Sequence, residues 1–333
     1  MKKLVIGPFA LLQGYVSREI WQTVCLLAAE YGWGVLDAAE LPDDLRRLPA
    51  ILRHRFGELP DVVLFRESYE WVVHCAPFFR ETGARIYVMT EDLHHPFAAM
   101  DAALHLATAV LSNYAPRLPL LLPEQTDTRV IWVPHGAGPD FQLPLEPSPE
   151  KAVFVSGAMN RDFYPLRAAM RELVMRRPEL GRIHHHPGYF TTFDYRSDER
   201  VGRGYAEAIR RCLAAFTDAT RCQYLLAKHF EIPATGALLI AERSVSPQLA
   251  SLGFVDRTHY LSADAATSKW SWSMCSTTAT APRSTRSAAA GMNWCTSNIG
   301  PVTARSRSTP SASNTPRNGP ADHHHGGRFA RMR

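Results

Sequence analysis

The sequence predicts an α/β protein made of two Rossmann-like, doubly wound domains in tandem, facing across a cleft. Three observations predict it. Short apolar runs alternate with amphipathic stretches of helical spacing, the pattern of a parallel sheet covered on both faces. The alternation pauses at a Pro- and Gly-rich segment near the middle of the chain and then restarts. And 333 residues are enough for two domains with cores of their own.

The elements follow in order. "KLVIGPF" is an apolar strand. The opening "MKKLVIGPFALLQG" imitates a secretion signal, but Pro8 breaks the apolar run and no small-x-small cleavage site follows, so it reads as the first strand. Ser17 can cap the helix "SREIWQTVCLLAAEYG", which ends at Gly32. "WGVLDA" is the second strand, and "LPDDLRRLPAILRHRFG" a helix kinked at Pro49. "DVVLF" is a strand and "ESYEWVVHCAPFFRETG" a helix; "RIYVM", "AVLSN" and "VIWVP" are the fourth, fifth and sixth strands. "GAGPDFQLPLEPSPE", between Gly136 and Lys151, is the linker. "AVFVSG" opens the second set. The helix "YPLRAAMRELVMRRP", the strand "RIHHH", the helix "GYAEAIRRC" and the strands "LAAFT" and "ALLIA" continue it. The expected domains are therefore residues 1–140 and 141–262, with ligands bound beyond the carboxyl ends of the strands, in the cleft between the two.

Residues 263–333 read differently. They hold no leucine and no glutamate but twenty Ser and Thr, together with three tryptophans and two cysteines that a solvated low-complexity tail does not need. A frameshift accounts for them. Read two nucleotides on, Met292-Asn293-Trp294-Cys295 must give Glu, Leu, Val whatever the codons, and Met274-Cys275 must give Val. The expectation is an aberrant, disordered tail standing where a helix belongs, and His323, His324 and His325 are assigned no metal.

Charge narrows the functions. The chain carries +5, but residues 263–333 carry nine Lys/Arg against two Asp, and removing that +7 leaves −2 on the first 262 residues. The body is not basic, so nucleic acid is not an expected partner. No run approaches the length of a membrane-spanning helix. The six cysteines are scattered without metal spacing, which fits free thiols in a cytoplasmic protein.

Four stretches carry candidate chemistry. "TEDLHHP" follows the fourth strand; Asp92 or His94 there could serve as a general base, with Glu91 and His95 beside them. The same residues also read as a polar loop in which Asp92 caps a helix. In "VSGAMNRDFYPLR", Gly157 ends a strand and would let backbone N–H groups approach a phosphate, with Arg161 adding a charge-assisted contact; a plain turn and a surface arginine explain them equally. "RIHHHPGYF" offers His184, His185 and His186, of which His186 at the strand end should see the cleft. In "KHFEIPATGALLI", Pro233 should lie in the first turn of a helix starting near Phe230 to Ile232 and Gly236 should end it. Glu231 would then face the cleft, where a carboxylate can accept from the vicinal hydroxyls of a ribose, and Lys228 could neutralise phosphate. Glu231 could equally complement the helix dipole.

"YLLAKHFEIPATGALLIAE", with "VIWVPHGAGPDF" and "VFVSGAMNRDFYPLR" upstream, resembles the CgeB-like (spore-maturation) glycosyltransferases, a group-1 family of GT-B architecture. The similarity spans about residues 60 to 262 and is strongest from Tyr205 to Arg243. It implies a GT-B fold, a nucleotide-diphosphate sugar as donor with no further cofactor, and a glycan, lipid or protein acceptor. It implies ribose binding by Glu231, five residues before Gly236 as in the family pattern. In the wider group another glutamate often lies eight residues earlier; here that position is Gln223. The alternatives are a nucleotide-sugar epimerase of the same architecture and a non-catalytic nucleotide-sugar or glycan-binding protein.

Overall fold

The computed structural model describes residues 1–264 apart from 92, 95, 124–128 and 190. The expected disordered tail therefore lies outside the described residues, save its first two. Two parallel sheets organise the chain. β1 (Lys3–Gly7), β2 (Gly34–Asp37), β3 (Val62–Arg66), β4 (Arg85–Thr90), β5 (Ala109–Ser112) and β6 (Val130–Trp132) form the first, in the order β2-β1-β3-β4-β5-β6. β7 (Glu150–Gly157), β8 (Gly181–His185), β9 (Cys212–Thr217), β10 (Leu238–Glu242) and β11 (Tyr260–Ala263) form the second, in the order β11-β10-β9-β7-β8. All neighbours are parallel. Read from its other edge, the second sheet has the winding of the first: the second strand lies outside the first, and the third and later strands run the other way. Each sheet thus has one switch point, β1/β3 and β7/β9, where adjacent crossovers diverge and leave a crevice at the carboxyl ends.

The helices are α1 (Phe9–Leu12), α2 (Glu19–Tyr31), α3 (Leu48–Phe56), α4 (Tyr69–Glu81), α5 (Ala98–Leu106), α6 (Leu118–Leu121), α7 (Pro165–Arg176), α8 (Gly202–Arg210), α9 (Lys228–Ala234) and α10 (Ser246–Ser251). They cover both faces of both sheets, as continuous apolar strands require. β1 sends Leu4 and Ile6 into the core built with Leu52, Val72 and Met100 of α3, α4 and α5, while Val5 packs with Val24 of α2. In β9, Ala214 and Phe216 face Met170 of α7, and Ala215 faces Ile209 of α8 and Phe230 of α9. This is the alternation a pleated strand imposes. One segment breaks the partition. Cys222 and Tyr224, between β9 and α9, are buried in the core of the first lobe.

Several local expectations are revised. Ser17 caps nothing: α2 starts at Glu19 after Arg18, without a side-chain cap. Pro49 lies in the first turn of α3, where its missing N–H costs nothing, so it starts the helix instead of kinking it. Pro233 is in the last turn of α9, which begins at Lys228 rather than near Phe230. The helix tolerates it because so short an element has few N–H bonds to lose. α10 and β11 extend the second sheet past the last strand read from sequence. Cys25, Cys75, Cys212 and Cys222 are free thiols. Among the described residues no helix is long and apolar enough to cross a membrane.

Gly236 turns the chain from α9 into β10. Its φ is +86°, and a Cβ there would lie 2.5 Å from Leu145 Cδ2 of the linker. Gly236→Ala is therefore expected to cost about 1–3 kcal/mol in urea unfolding, the range for a side chain forced into left-handed backbone; an unchanged midpoint would show that the linker yields.

Candidate functional site

The crevice at β7/β9 is built by five side chains around one glycine, Ser156, Arg167, Tyr205, Asp218 and Lys228. β7 ends at Gly157, whose φ of +104° turns the backbone out of the sheet. A Cβ at Gly157 would collide with Lys228 Nζ and lie 2.5 Å from Arg167 Nη1. Glycine is needed twice over, for the dihedral and for the close approach of two cations. Lys228, the first residue of α9, donates to the Ser156 carbonyl at 2.9 Å and to Ser156 Oγ at 3.3 Å. Ser156 Oγ is also 2.7 Å from the Tyr205 hydroxyl. Arg167 reaches in from the first turn of α7. Its Nη2 donates to Asp218 Oδ1 at 2.6 Å, its backbone N–H to Asp218 Oδ2 at 3.1 Å, and its Nη1 to the Ala158 carbonyl at 3.0 Å. The Arg167–Asp218 pair is fully withdrawn from water, with side-chain exposures of 3% and 0%. Arg167 Nε is buried with no acceptor among the described residues.

The electrostatics follow from this crowding. Burial, and then the Arg167 charge, push the Lys228 pKa well below the usual lysine range. Glu231, one helical turn along α9, moves the opposite way. Burial raises its pKa, and the Glu19 carboxylate adds to the rise against the pull of Lys228 and His135. No described residue donates a hydrogen bond to the Glu231 carboxylate. His186, just past β8, is pushed down to about 4 by burial and by Lys228 and Arg167, so it lies within the field of the two cations.

Glu19 and His135 bring the first lobe to the same place. Glu19 opens α2, at the β1 side of the first switch point. It accepts from the Gly136 N–H at 2.9 Å, and its Oε2 is 2.9 Å from His135 Nδ1. His135 Nε2 is 3.1 Å from the Tyr114 hydroxyl. Burial opposes charge on both partners, but each offsets it for the other: Glu19 ends below the usual glutamate range and His135 above the usual histidine range. Beside them Arg66 pairs with Glu91, at the carboxyl ends of β3 and β4. A bridge also joins the lobes: Phe193 N–H donates to the Gly14 carbonyl at 2.8 Å, and the Tyr195 hydroxyl donates to the Tyr15 carbonyl.

The residues singled out from sequence divide. Gly157, Lys228 and Glu231 belong to one crevice, and Gly236 supports it by ending α9. Arg161 pairs with Glu172 on the exposed side of α7; Arg167, six residues on, is the arginine that reaches Gly157. Its signal was available: a charge between Leu166 and Met170 on the buried face of an amphipathic helix. Asp218 also had one, as the polar residue directly after an apolar strand. His94 packs on Phe163 with ring centroids 4.6 Å apart, and its Nδ1 is 3.3 Å from the Tyr224 hydroxyl. Asp92 and His95 lie outside the described residues. Gln223 has left-handed backbone, φ +57°, and its carbonyl accepts from Gln248 Nε2 at 3.0 Å.

The Glu19–His135 pair gives a pH signature. The raised His135 pKa contributes stability that is complete below the ordinary value of 6.5 and is lost as pH rises through the folded value. The lowered Glu19 pKa contributes stability present above 4.5 and lost as pH falls through its folded value. The melting-temperature deficit of His135→Gln should thus be largest between these two ordinary values and shrink as pH rises through the folded His135 value; a deficit that grows with pH would refute the ion pair.

No protein-family model matches the sequence, and no curated protein matches it. Solved structures do match. HepE of Anabaena, solved with UDP and glucose, superposes with a TM-score of 0.57 at 10% identity, over 89% of this chain and 95% of that one. A glycosyltransferase of Rickettsia africae superposes with a TM-score of 0.56 at 11% identity, over 89% and 94%. A DNA-modifying β-glucosyltransferase, solved with and without uridine diphosphoglucose, superposes with a TM-score of 0.51 at 13% identity, over 90% and 95%. At such identities the likeness is one of fold, and the fold it shows is the two-sheet, GT-B architecture of these glycosyltransferases.

Proposed function

We propose that the protein is a glycosyltransferase of the CgeB-like type that takes its sugar from a nucleoside-diphosphate donor bound at the β7/β9 crevice. The observation that carries this reading is the convergence of Lys228 and Arg167 on Gly157. Lys228, driven toward neutrality first by burial and then by the Arg167 charge, forms with Arg167 a site whose electrostatics an anion would relieve. A diphosphate supplies that anion. During transfer it is the leaving group, and the charge that builds on it as the sugar bond breaks would be stabilised by Lys228, Arg167 and the backbone N–H groups after Gly157. Glu231, with no donor among the described residues, is suited to accept from ribose hydroxyls. Residues 1–140 would serve the acceptor and 141–262 the donor.

The acceptor hydroxyl needs a base if the reaction inverts. Asp92 remains the candidate; His94 is better suited to packing between the lobes. The competing reading is a protein that binds a nucleotide sugar without transferring it. Gln223, where the wider group often carries a glutamate, favours that reading.

Titration calorimetry with UDP, GDP and ADP tests the proposal. At least one should bind, and Glu231→Ala should weaken it by about 1–3 kcal/mol, the cost of an unmet polar group. Lys228→Ala should weaken binding and flatten its salt dependence, because it removes one phosphate-facing charge. Equal binding by parent and Glu231→Ala removes the ribose role; no binding by the parent removes the proposal. Release of free sugar from the donor, or its transfer, then separates enzyme from binder.

A further inference from the structure

The segment between β9 and α9 leaves the second lobe, enters the first and returns. Two non-glycine residues, Thr220 at φ +60° and Gln223 at +57°, hold left-handed backbone to make the excursion. Such strain persists only where the surroundings enforce it. Here the enforcement is visible. Arg117 Nε of the first lobe donates to the Cys222 carbonyl at 3.0 Å. Tyr224 is 1% exposed, and its ring lies parallel to that of Tyr114, with centroids 3.8 Å apart and planes 4° from parallel. Tyr114 in turn is bonded through His135 to Glu19. The Tyr224 hydroxyl reaches His94 on the loop after β4. Four residues after Tyr224 the chain enters α9, whose first and fourth residues are Lys228 and Glu231.

We infer that Tyr224 is a positioning residue: its stack on Tyr114 ties the start of α9 to the first lobe, so the donor cradle is completed by lobe docking and not by the second sheet alone. This rests on the nucleotide-binding reading given above. The rest of α9 packs on its own lobe through Phe230 and Ile232. That packing holds the helix as a body, while the segment that leads into Lys228 is held by the first lobe through Cys222 and Tyr224. Helix packing alone is the competing explanation, and it predicts that nothing in the first lobe affects the nucleotide.

The experiment titrates UDP, GDP and ADP into the full-length parent and carries the tightest forward to three variants. Tyr224→Leu deletes the stack and should weaken binding about tenfold, within the range by which residues without ligand contact modulate a site. Tyr224→Phe keeps the stack, loses only the hydroxyl, and should restore Kd to within about twofold of the parent. Phe79→Leu truncates the same first-lobe core away from the segment and should lower Tm with Kd unchanged. If Tyr224→Leu is unfolded by circular dichroism, Tyr114→Leu removes the stack from the other side and carries the same expectation. Parent-like Kd in the Leu variants, with Tm alone reduced, overturns the inference and leaves the donor site standing. Failure of the parent to bind any of the three nucleotides overturns the donor site, and this inference with it.

Discussion

The approach of two cations to one strand end is the constraint on which the rest of the site depends. Gly157 makes it geometrically possible, and Asp218 makes it tolerable by pairing with one of them. Without Asp218, Arg167 would be an uncompensated charge in the protein interior, which costs several kcal/mol. Without Arg167, Lys228 would have less reason to surrender its proton. The remaining features answer to this pair: Ser156 supplies the oxygens to which Lys228 donates, and Tyr205 holds Ser156 in place. The crevice is thus assembled from α7, α9 and the ends of β7 and β9. These are the elements that diverge at a switch point and leave room between them.

The two lobes use the same winding for different electrostatics. At β7/β9 Arg167 is matched with Asp218 but Lys228 donates to the uncharged oxygens of Ser156, whereas at β1/β3 Arg66 is matched with Glu91 and His135 with Glu19. The lysine without a carboxylate partner among the described residues therefore belongs to the second sheet's switch point. The Glu19 field nevertheless crosses to Glu231 and raises its pKa. The lobes are therefore coupled through charge as well as through the Tyr114–Tyr224 stack.

The strands were legible because a doubly covered parallel strand must be apolar throughout, and "KLVIG", "DVVLF", "AVFVS" and "ALLIA" satisfy that locally. Gly157 and Glu231 could be singled out by position alone, one ending a buried strand and the other just before the next, although a turn and a helix-dipole carboxylate explained them equally. What sequence could not supply was any contact decided by tertiary packing. Arg161 and Arg167 are both arginines near Gly157, and only the orientation of α7 decides that the first pairs with Glu172 outside while the second turns inward. The proline rule places the start of α9 too late, because nothing local shows how short the helix is. The Glu19–His135 pair joins residues 116 positions apart, and nothing local marks either as the other's partner.

The bridge between Gly14 and Phe193 ties the loop after β8 to the first lobe at one backbone hydrogen bond. A Cβ on Gly14 would run into the Thr192 methyl, so only glycine lets the two loops meet this closely. Tyr195, two residues past Phe193, lies close enough to Glu231 to feel its charge. The bridge therefore sets how closely the loop carrying Tyr195 lies against the first lobe, and a single methyl group added at position 14 would force the two loops apart.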